Sequence, residues 1–168
     1  MLFREGHKDV DFKLEIPDRP VTAHFDLRLI SQAVTNLIKN GAEAIESYGE
    51  AQGRPADYKG EIEVRLVPDA DRVAIEVIDN GIGLPKQNRA KLLEPYVTTR
   101  AKGTGLGLAI VQKVVEQHGG TLALEDAPTS KTRTRGALVR LTLPIKIAPT
   151  REISAEQIRS AAHVAGGA

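Results

Sequence analysis

The chain has 168 residues, 41% of them hydrophobic and 27% charged, the size and balance of one globular domain. Lys and Arg number 23 against 22 Asp and Glu, so no global basic field points to nucleic acid. Cysteine is absent, which excludes disulfide frameworks, thiol catalysis and cysteine metal sites and fits a reducing, cytoplasmic compartment. No apolar run approaches the roughly 20 residues that a membrane helix needs. The N-terminus has no signal-peptide pattern. Direct membrane contact by this chain is not expected; an inner-membrane anchor is left to a longer parent protein.

Taken in chain order, residues 12–16 and 21–25 are short, β-rich and separated by Pro17, Asp18 and Pro20, which predicts a hairpin. Asp26 then caps a helix running to about Ser47, with Ile30, Val34, Leu37, Ile38 and Ile45 at helical spacing. Residues 49–60 read as a loop, and 62–67 and 73–78 as two alternating, β-branched strands. Residues 81–104 are irregular, with one helical turn near 89–93, and weak order is expected there without a ligand. A helix over 105–118 ends at Gly119-Gly120. The last strands are 121–125 and 137–143, joined by a loop whose Lys131, Arg133 and Arg135 read as a solvated cluster. The segment after Pro149 is a short helix or a frayed tail. This order predicts an α/β (α+β) two-layer sandwich, with about three helices on one face of a mixed sheet.

Three strings in this framework carry chemistry. Asn36 and Asn40 are four residues apart on the first helix and so share a face. Their amide oxygens suit a hard cation such as Mg²⁺, which takes its other ligands from water and substrate phosphates; alone, the pair also fits solvent-facing amides. Asp79 closes an apolar strand and precedes Gly81 and Gly83. A carboxylate there can accept from an exocyclic amine such as that of adenine, while the glycines let backbone approach a flat ring. A plain Asp-Asn-Gly turn is the alternative. Gly103, Thr104, Gly105 and Gly107 stand at the start of the second helix, where free N–H groups and the helix dipole favour phosphate. Thr98, Thr99, Arg100 and Lys102 add hydroxyls and cations just upstream. No Walker A loop is present. A dinucleotide fingerprint fails because Leu108 stands where its third glycine belongs. His7, His24, His118 and His163 show no metal spacing and read as structural or solvated.

NLIKNGAEA, DNGIG, LLEPYVTTR and GTGLGLAIV, in this order, resemble the asparagine box, first glycine box, phenylalanine box and second glycine box of sensor histidine kinases. The combination resembles the ATP-binding catalytic domain of the superfamily that also holds gyrase, heat-shock chaperone and MutL-type ATPases, with the Bergerat-type sandwich and long ATP lid. It spans residues 26–143, and two longer stretches look most like nitrogen-regulation kinases of the NtrY type.

The resemblance implies that Asn40 ligates Mg²⁺ with Asn36 in support, that Asp79 binds the adenine amine, and that Gly81 and Gly83 shape the pocket floor. It places Thr98, Thr99, Arg100 and Lys102 in the lid and Gly103, Thr104, Gly105, Leu106, Gly107 and Leu108 around the phosphates. Glu43, one turn beyond Asn40, stands where related kinases carry a basic residue, and Tyr96 where they carry Phe. The ATPase relatives have a Glu base at the place matched by Asn36, and Asn cannot activate water. The implied activity is therefore kinase-type: Mg-ATP is held here, and the γ-phosphate passes to a histidine on a separate helical domain and onward to a response regulator. Residues 1–10 read as the end of that dimerisation and phosphoacceptor helix or a linker, 11–148 as the catalytic domain, and 149–168 as a tail. No catalytic residue is expected in the chain, and no autophosphorylation by it alone. A serine kinase of the anti-sigma type and a non-catalytic nucleotide-gated binding module remain the alternatives.

Overall fold

The structure, a computed structural model, describes residues 10–23, 25–51, 54–97, 105–131 and 133–145. Elements follow as β1 (Val10–Glu15), α1 (Leu27–Gly49), β2 (Gly60–Pro68), β3 (Arg72–Asp79), a 3₁₀ turn (Arg89–Leu93), α2 (Gly107–Gln117), β4 (Thr121–Asp126) and β5 (Ala137–Pro144). The five strands form one sheet in the order β1-β2-β3-β5-β4. β1 lies parallel to β2, and every other pair is antiparallel.

The expected hairpin at the N-terminus does not form. β1 pairs in parallel with β2 across the long α1 connection, Val10 opposite Gly60. Residues 21–23 and 25 make no strand. Pro17 and Pro20 lack the N–H that a ladder needs, and Val21 and Phe25 instead pack onto the core. Of the about three helices expected, the described residues hold two α-helices and one short 3₁₀ turn. The tail after Pro149 lies outside the described residues.

Helix α1 starts where its sequence says it should. Asp26 is extended, and its carboxylate accepts from the Leu29 N–H at 3.1 Å, satisfying one of the orphan donors of the first turn. His118, at the end of α2, accepts from the Asp26 N–H at 3.2 Å through Nε2 and meets the Val114 carbonyl at 2.7 Å through Nδ1. The imidazole therefore staples the end of one helix to the start of the other, a structural role.

Alternation in the strands assigns the two faces of the sheet. Ile62, Val77, Val139, Leu141 and Leu143 face the helices and meet Ile30, Ala33, Leu37, Val111 and Val115 in one core. The opposite face carries charge in ordered pairs. Arg140 bonds Glu76 at 2.8 Å, and Arg65 bonds Glu63 at 2.8 Å and Glu15 at 3.1 Å. The 127–136 loop folds back over part of this face, where Ile78, Leu138 and Ala127 form a second small cluster.

Arg133 of that loop is not solvated as its composition suggested. It is 6% exposed and reaches Glu63 at 2.8 Å and Glu61 at 3.3 Å. Burial pushes the Glu63 carboxyl up, but hydrogen bonds and charge from Arg65 and Arg133 outweigh burial and hold it below its usual range.

Leu141 is completely buried at the centre of the main core. Leu141→Ala is expected to lower the unfolding free energy by about 2–5 kcal/mol through lost transfer energy and a residual cavity. Asp26→Ala should cost about 1 kcal/mol. Urea denaturation checks both, and a Leu141→Ala loss no larger than that of the cap would contradict this assignment of the core.

Candidate nucleotide-binding site

The site is built where β3 ends against α1 and β5. Asp79 is 6% exposed on the helix-facing side of the last β3 position. Its Oδ1 accepts the Gly81 N–H at 2.8 Å and the Ala137 N–H at 3.4 Å. A buried carboxylate needs such donors, because leaving it unsatisfied costs several kcal/mol by the order of magnitude for buried charge. The two amides also fix the plane of the group.

Close backbone packing makes this possible, and glycine makes the packing possible. A Cβ on Gly81 would stand 2.4 Å from the Ala44 carbonyl carbon of α1, and the next N–H, of Ile82, donates to the Ala44 oxygen at 3.0 Å. Gly136 has φ +130°, and a Cβ there would fall 1.9 Å from the Asp79 carbonyl oxygen. Gly41 sits on the other side, its Cβ position 3.4 Å from the Asp79 Cβ. Gly83, with φ +80°, completes the turn beside Gly136.

Behind Asp79, Asn80 is buried and points away from the pocket. Its Oδ1 accepts the Glu61 N–H at 2.7 Å, and its amide donates to the Lys59 carbonyl at 2.8 Å. The Tyr58 hydroxyl reaches the Asn80 carbonyl and Oδ1, each at 3.2 Å. Burial, then the nearby Asp79 charge, push the Tyr58 phenol up to about 12. Asn80 therefore locks the β2–β3 end, so that consecutive residues divide the labour between pocket and scaffold.

The third string forms the opposite wall. Gly105, with φ +67°, lies against Tyr96, whose N–H donates to the Gly105 carbonyl at 3.0 Å. The two described ends of the lid thus meet at one point. Tyr96 is itself left-handed at φ 66° and 79% exposed. Between Gly83 and Tyr96 the 3₁₀ turn is tied down by Arg89, which donates to the Pro85 carbonyl and pairs with Asp126.

Helix α2 then begins with no side-chain cap and no acidic residue in its first turn, which leaves its dipole end suited to an anion. A Cβ on Gly107 would stand 3.3 Å from Asn40 Oδ1, so the Asn40 amide lies directly on this helix start. Asn36 and Glu43 are half-buried one turn to either side of Asn40. Glu43 lies 4.0 Å from Lys39, an exposed pair of little energetic weight. Leu106 and Leu108 are half-buried at the same helix start. Thr98, Thr99, Arg100, Lys102, Gly103 and Thr104 lie outside the described residues.

The geometry brings together Asp79, Gly81, Gly83, Asn40, Gly105 and Gly107 from all three strings. Its donor set also suits a nucleotide with its cation: a buried carboxylate stands at one end, and the Asn40 amide oxygen lies against a helix start without a side-chain cap. Sequence reasoning missed Gly41, Tyr58, Asn80, Arg133, Arg135 and Gly136. Gly136 was legible as a strand-leading glycine, whereas the rest act through tertiary contact. A separate open groove of about 570 Å³, lined by prolines and by Val21 and Ile145, lies at the other end of β2 and shares none of these residues.

Residues 25–147 match the model of the histidine kinase-, DNA gyrase B- and HSP90-like ATPase family. The chain belongs to that family, as an ATP-binding catalytic domain of its sensor histidine kinase branch. Among its relatives, the nitrogen regulation protein NtrY of Azorhizobium caulinodans is 52% identical over 146 residues, 84% of this chain and 17% of that protein. The mycobacterial sensor histidine kinase MprB superposes with a TM-score of 0.69 at 29% identity, covering 86% of this chain and 87% of that one. The histidine kinase ThkA, solved in complex with the response regulator TrrA, matches at TM-score 0.64 and 27% identity, over 86% of this chain and 37% of the kinase. These relatives favour the histidine kinase branch over the serine-kinase and non-catalytic alternatives.

The raised Tyr58 pKa gives a pH test. The folded phenol keeps its proton to about pH 12 while the ordinary value is 10.0. The unfolded chain therefore loses this proton first, and the contribution to stability, complete below pH 10, fades as pH rises through that window. Wild type should lose stability relative to Tyr58→Phe between these limits, and Asp79→Asn should move the Tyr58 absorbance titration downward. An unmoved titration would contradict the coupling.

Proposed function

We propose that the chain binds Mg-ATP with adenine on Asp79 and the phosphates at the start of α2, and that the γ-phosphoryl group goes to a histidine on a separate helical domain. The observation that carries this reading is Asn40 Oδ1 lying against Gly107 while the next residue, Gly41, packs against Asp79. One helix therefore touches both the Asp79 strand end and the start of α2. Bound Mg²⁺ would supply charge neutralisation between phosphate oxygens. Asn40 would contribute an amide oxygen to it, with Asn36 in support.

The remaining chemistry is positioning. Asp79, held by two amides, orients the base. The α2 amides, with Gly105, Leu106, Gly107 and Leu108, orient the phosphates. Thr98, Thr99, Arg100, Lys102, Gly103 and Thr104 are assigned to the lid over them. Such alignment for in-line transfer accounts for much of a phosphoryl-transfer rate. An Asn side chain cannot take a proton from water, so Asn36 favours transfer to an imidazole over hydrolysis. The transfer breaks the bond from the γ-phosphorus to the bridging oxygen, forms a phosphorus–nitrogen bond and releases ADP.

The histidine-bearing domain, the response regulator that receives the phosphate next, and a cytoplasmic location are parts of the same proposal. ThkA, solved with its regulator, is a precedent for such a partner. Among the described residues no helix is long and apolar enough to cross a membrane. Residues 1–10 are assigned to the end of the preceding helix or a linker, 11–148 to the catalytic domain and 149–168 to a tail.

Titration with a fluorescent ATP analogue tests the site. Asp79→Asn should weaken binding by about tenfold or more, the scale of a lost buried charged hydrogen bond. Asn40→Ala should remove the Mg²⁺ dependence of affinity. Equal affinities for wild type and Asp79→Asn would sink the adenine assignment, and persisting Mg²⁺ dependence the metal one. Labelled phosphate should reach histidine only after a separately purified histidine-containing helical domain is added.

A further inference from the structure

We propose that Arg135 is a positioning residue for adenine recognition, clamping the Gly81–Gly83 turn onto α1. The inference rests on the assignment of Asp79 to the adenine amine and adds a residue that none of the motif strings contains.

Arg135 is exposed, at the end of a loop, and would pass as a solvated cation. Its contacts say otherwise. The guanidinium carbon lies 4.4 Å over the Tyr48 ring, near the end of α1. Its Nη2 donates to the Ile82 carbonyl at 2.8 Å. The Ile82 N–H is already bound to the Ala44 carbonyl of α1 at 3.0 Å. The peptide units on both sides of Ile82 are thus held, one by α1 and one by Arg135, itself braced on α1 through Tyr48. Tyr48 in turn is fixed edge-to-face against Tyr58 at 4.9 Å, whose hydroxyl bonds Asn80.

This turn sets the acceptor geometry of Asp79, because the Gly81 N–H bonds Asp79 Oδ1. The residue after Arg135 is Gly136, which lies on the Asp79 carbonyl, and the one after that donates the second amide to Oδ1. Arg135 therefore borders both donors that orient the carboxylate. A flat guanidinium can stack on a ring and donate in its own plane at once, whereas a lysine ammonium stacks without that planar reach.

The test compares ATP with the triphosphate of unsubstituted purine riboside, which lacks the 6-amine, by calorimetric titration of the chain. Wild type should prefer ATP. Arg135→Ala should weaken ATP binding by about threefold to tenfold, the scale of one stacked cation with its hydrogen bond. It should leave purine triphosphate affinity nearly unchanged, so that the preference narrows. Arg135→Lys should keep part of the preference, and Tyr48→Phe, which retains the ring under Arg135, all of it. Unchanged preference in Arg135→Ala, or an equal loss for both nucleotides, overturns the proposal while the Asp79 assignment stands. Absence of preference in wild type overturns the Asp79 assignment and this inference with it.

Discussion

Backbone carbonyls in this fold approach positions where no side chain can stand, and the pocket depends on that closeness. A Cβ on Gly136 would lie 1.9 Å from the Asp79 oxygen, and one on Gly81 2.4 Å from Ala44. Remove either glycine and β5 or the turn must retreat from β3. The amides of Gly81 and Ala137 would then no longer reach Oδ1, and Asp79 would be a buried acid short of donors. The glycines therefore act through electrostatics as much as through conformational freedom.

The face of the sheet away from the helices supports this arrangement from behind. Arg133 enters a buried position between Glu61 and Glu63, its Nη1 having no hydrogen-bond partner among the described residues. A buried ion pair of this kind contributes little net stability over an apolar replacement. What it fixes is placement: the 127–136 loop is drawn over Ile78 and Leu138, and its end delivers Gly136 to Asp79. Asn80 and Tyr58 do the corresponding job at the β2–β3 end.

Legibility in the sequence followed the range of the interactions. Asp26 as cap, the alternating strands β2, β3 and β5, and the 3₁₀ turn at Arg89–Leu93 depend on near neighbours and were readable. The N-terminal hairpin misled because two β-rich stretches joined by a proline turn look local. The partner of β1 is instead β2, on the far side of a 23-residue helix. Asp79, Asn40 and the Gly105–Gly107 helix start carried recognisable residue types at recognisable places. Arg133 and Arg135 did not, because charge in a loop is solvated by default, and only the tertiary fold supplies Glu63 to one and Tyr48 to the other.

The two helix starts explain why a nucleotide would lie in one direction. The first-turn N–H groups of α1 and α2, as of any helix, have no partner within the helix. At α1 the Asp26 carboxylate already occupies that position, and an incoming anion would meet its charge. At α2 no side chain caps the helix and no acid stands in the first turn. The α2 start is thus the better suited of the two to an anion, which supports the proposal that the phosphates lie there and the base at Asp79. Asn40 lies against Gly107 and Gly41 against Asp79, so adjacent residues of one helix touch both elements. A shift of α1 along its axis would misplace both contacts at once, which ties the clamp on its C-terminal end to the geometry of the whole site.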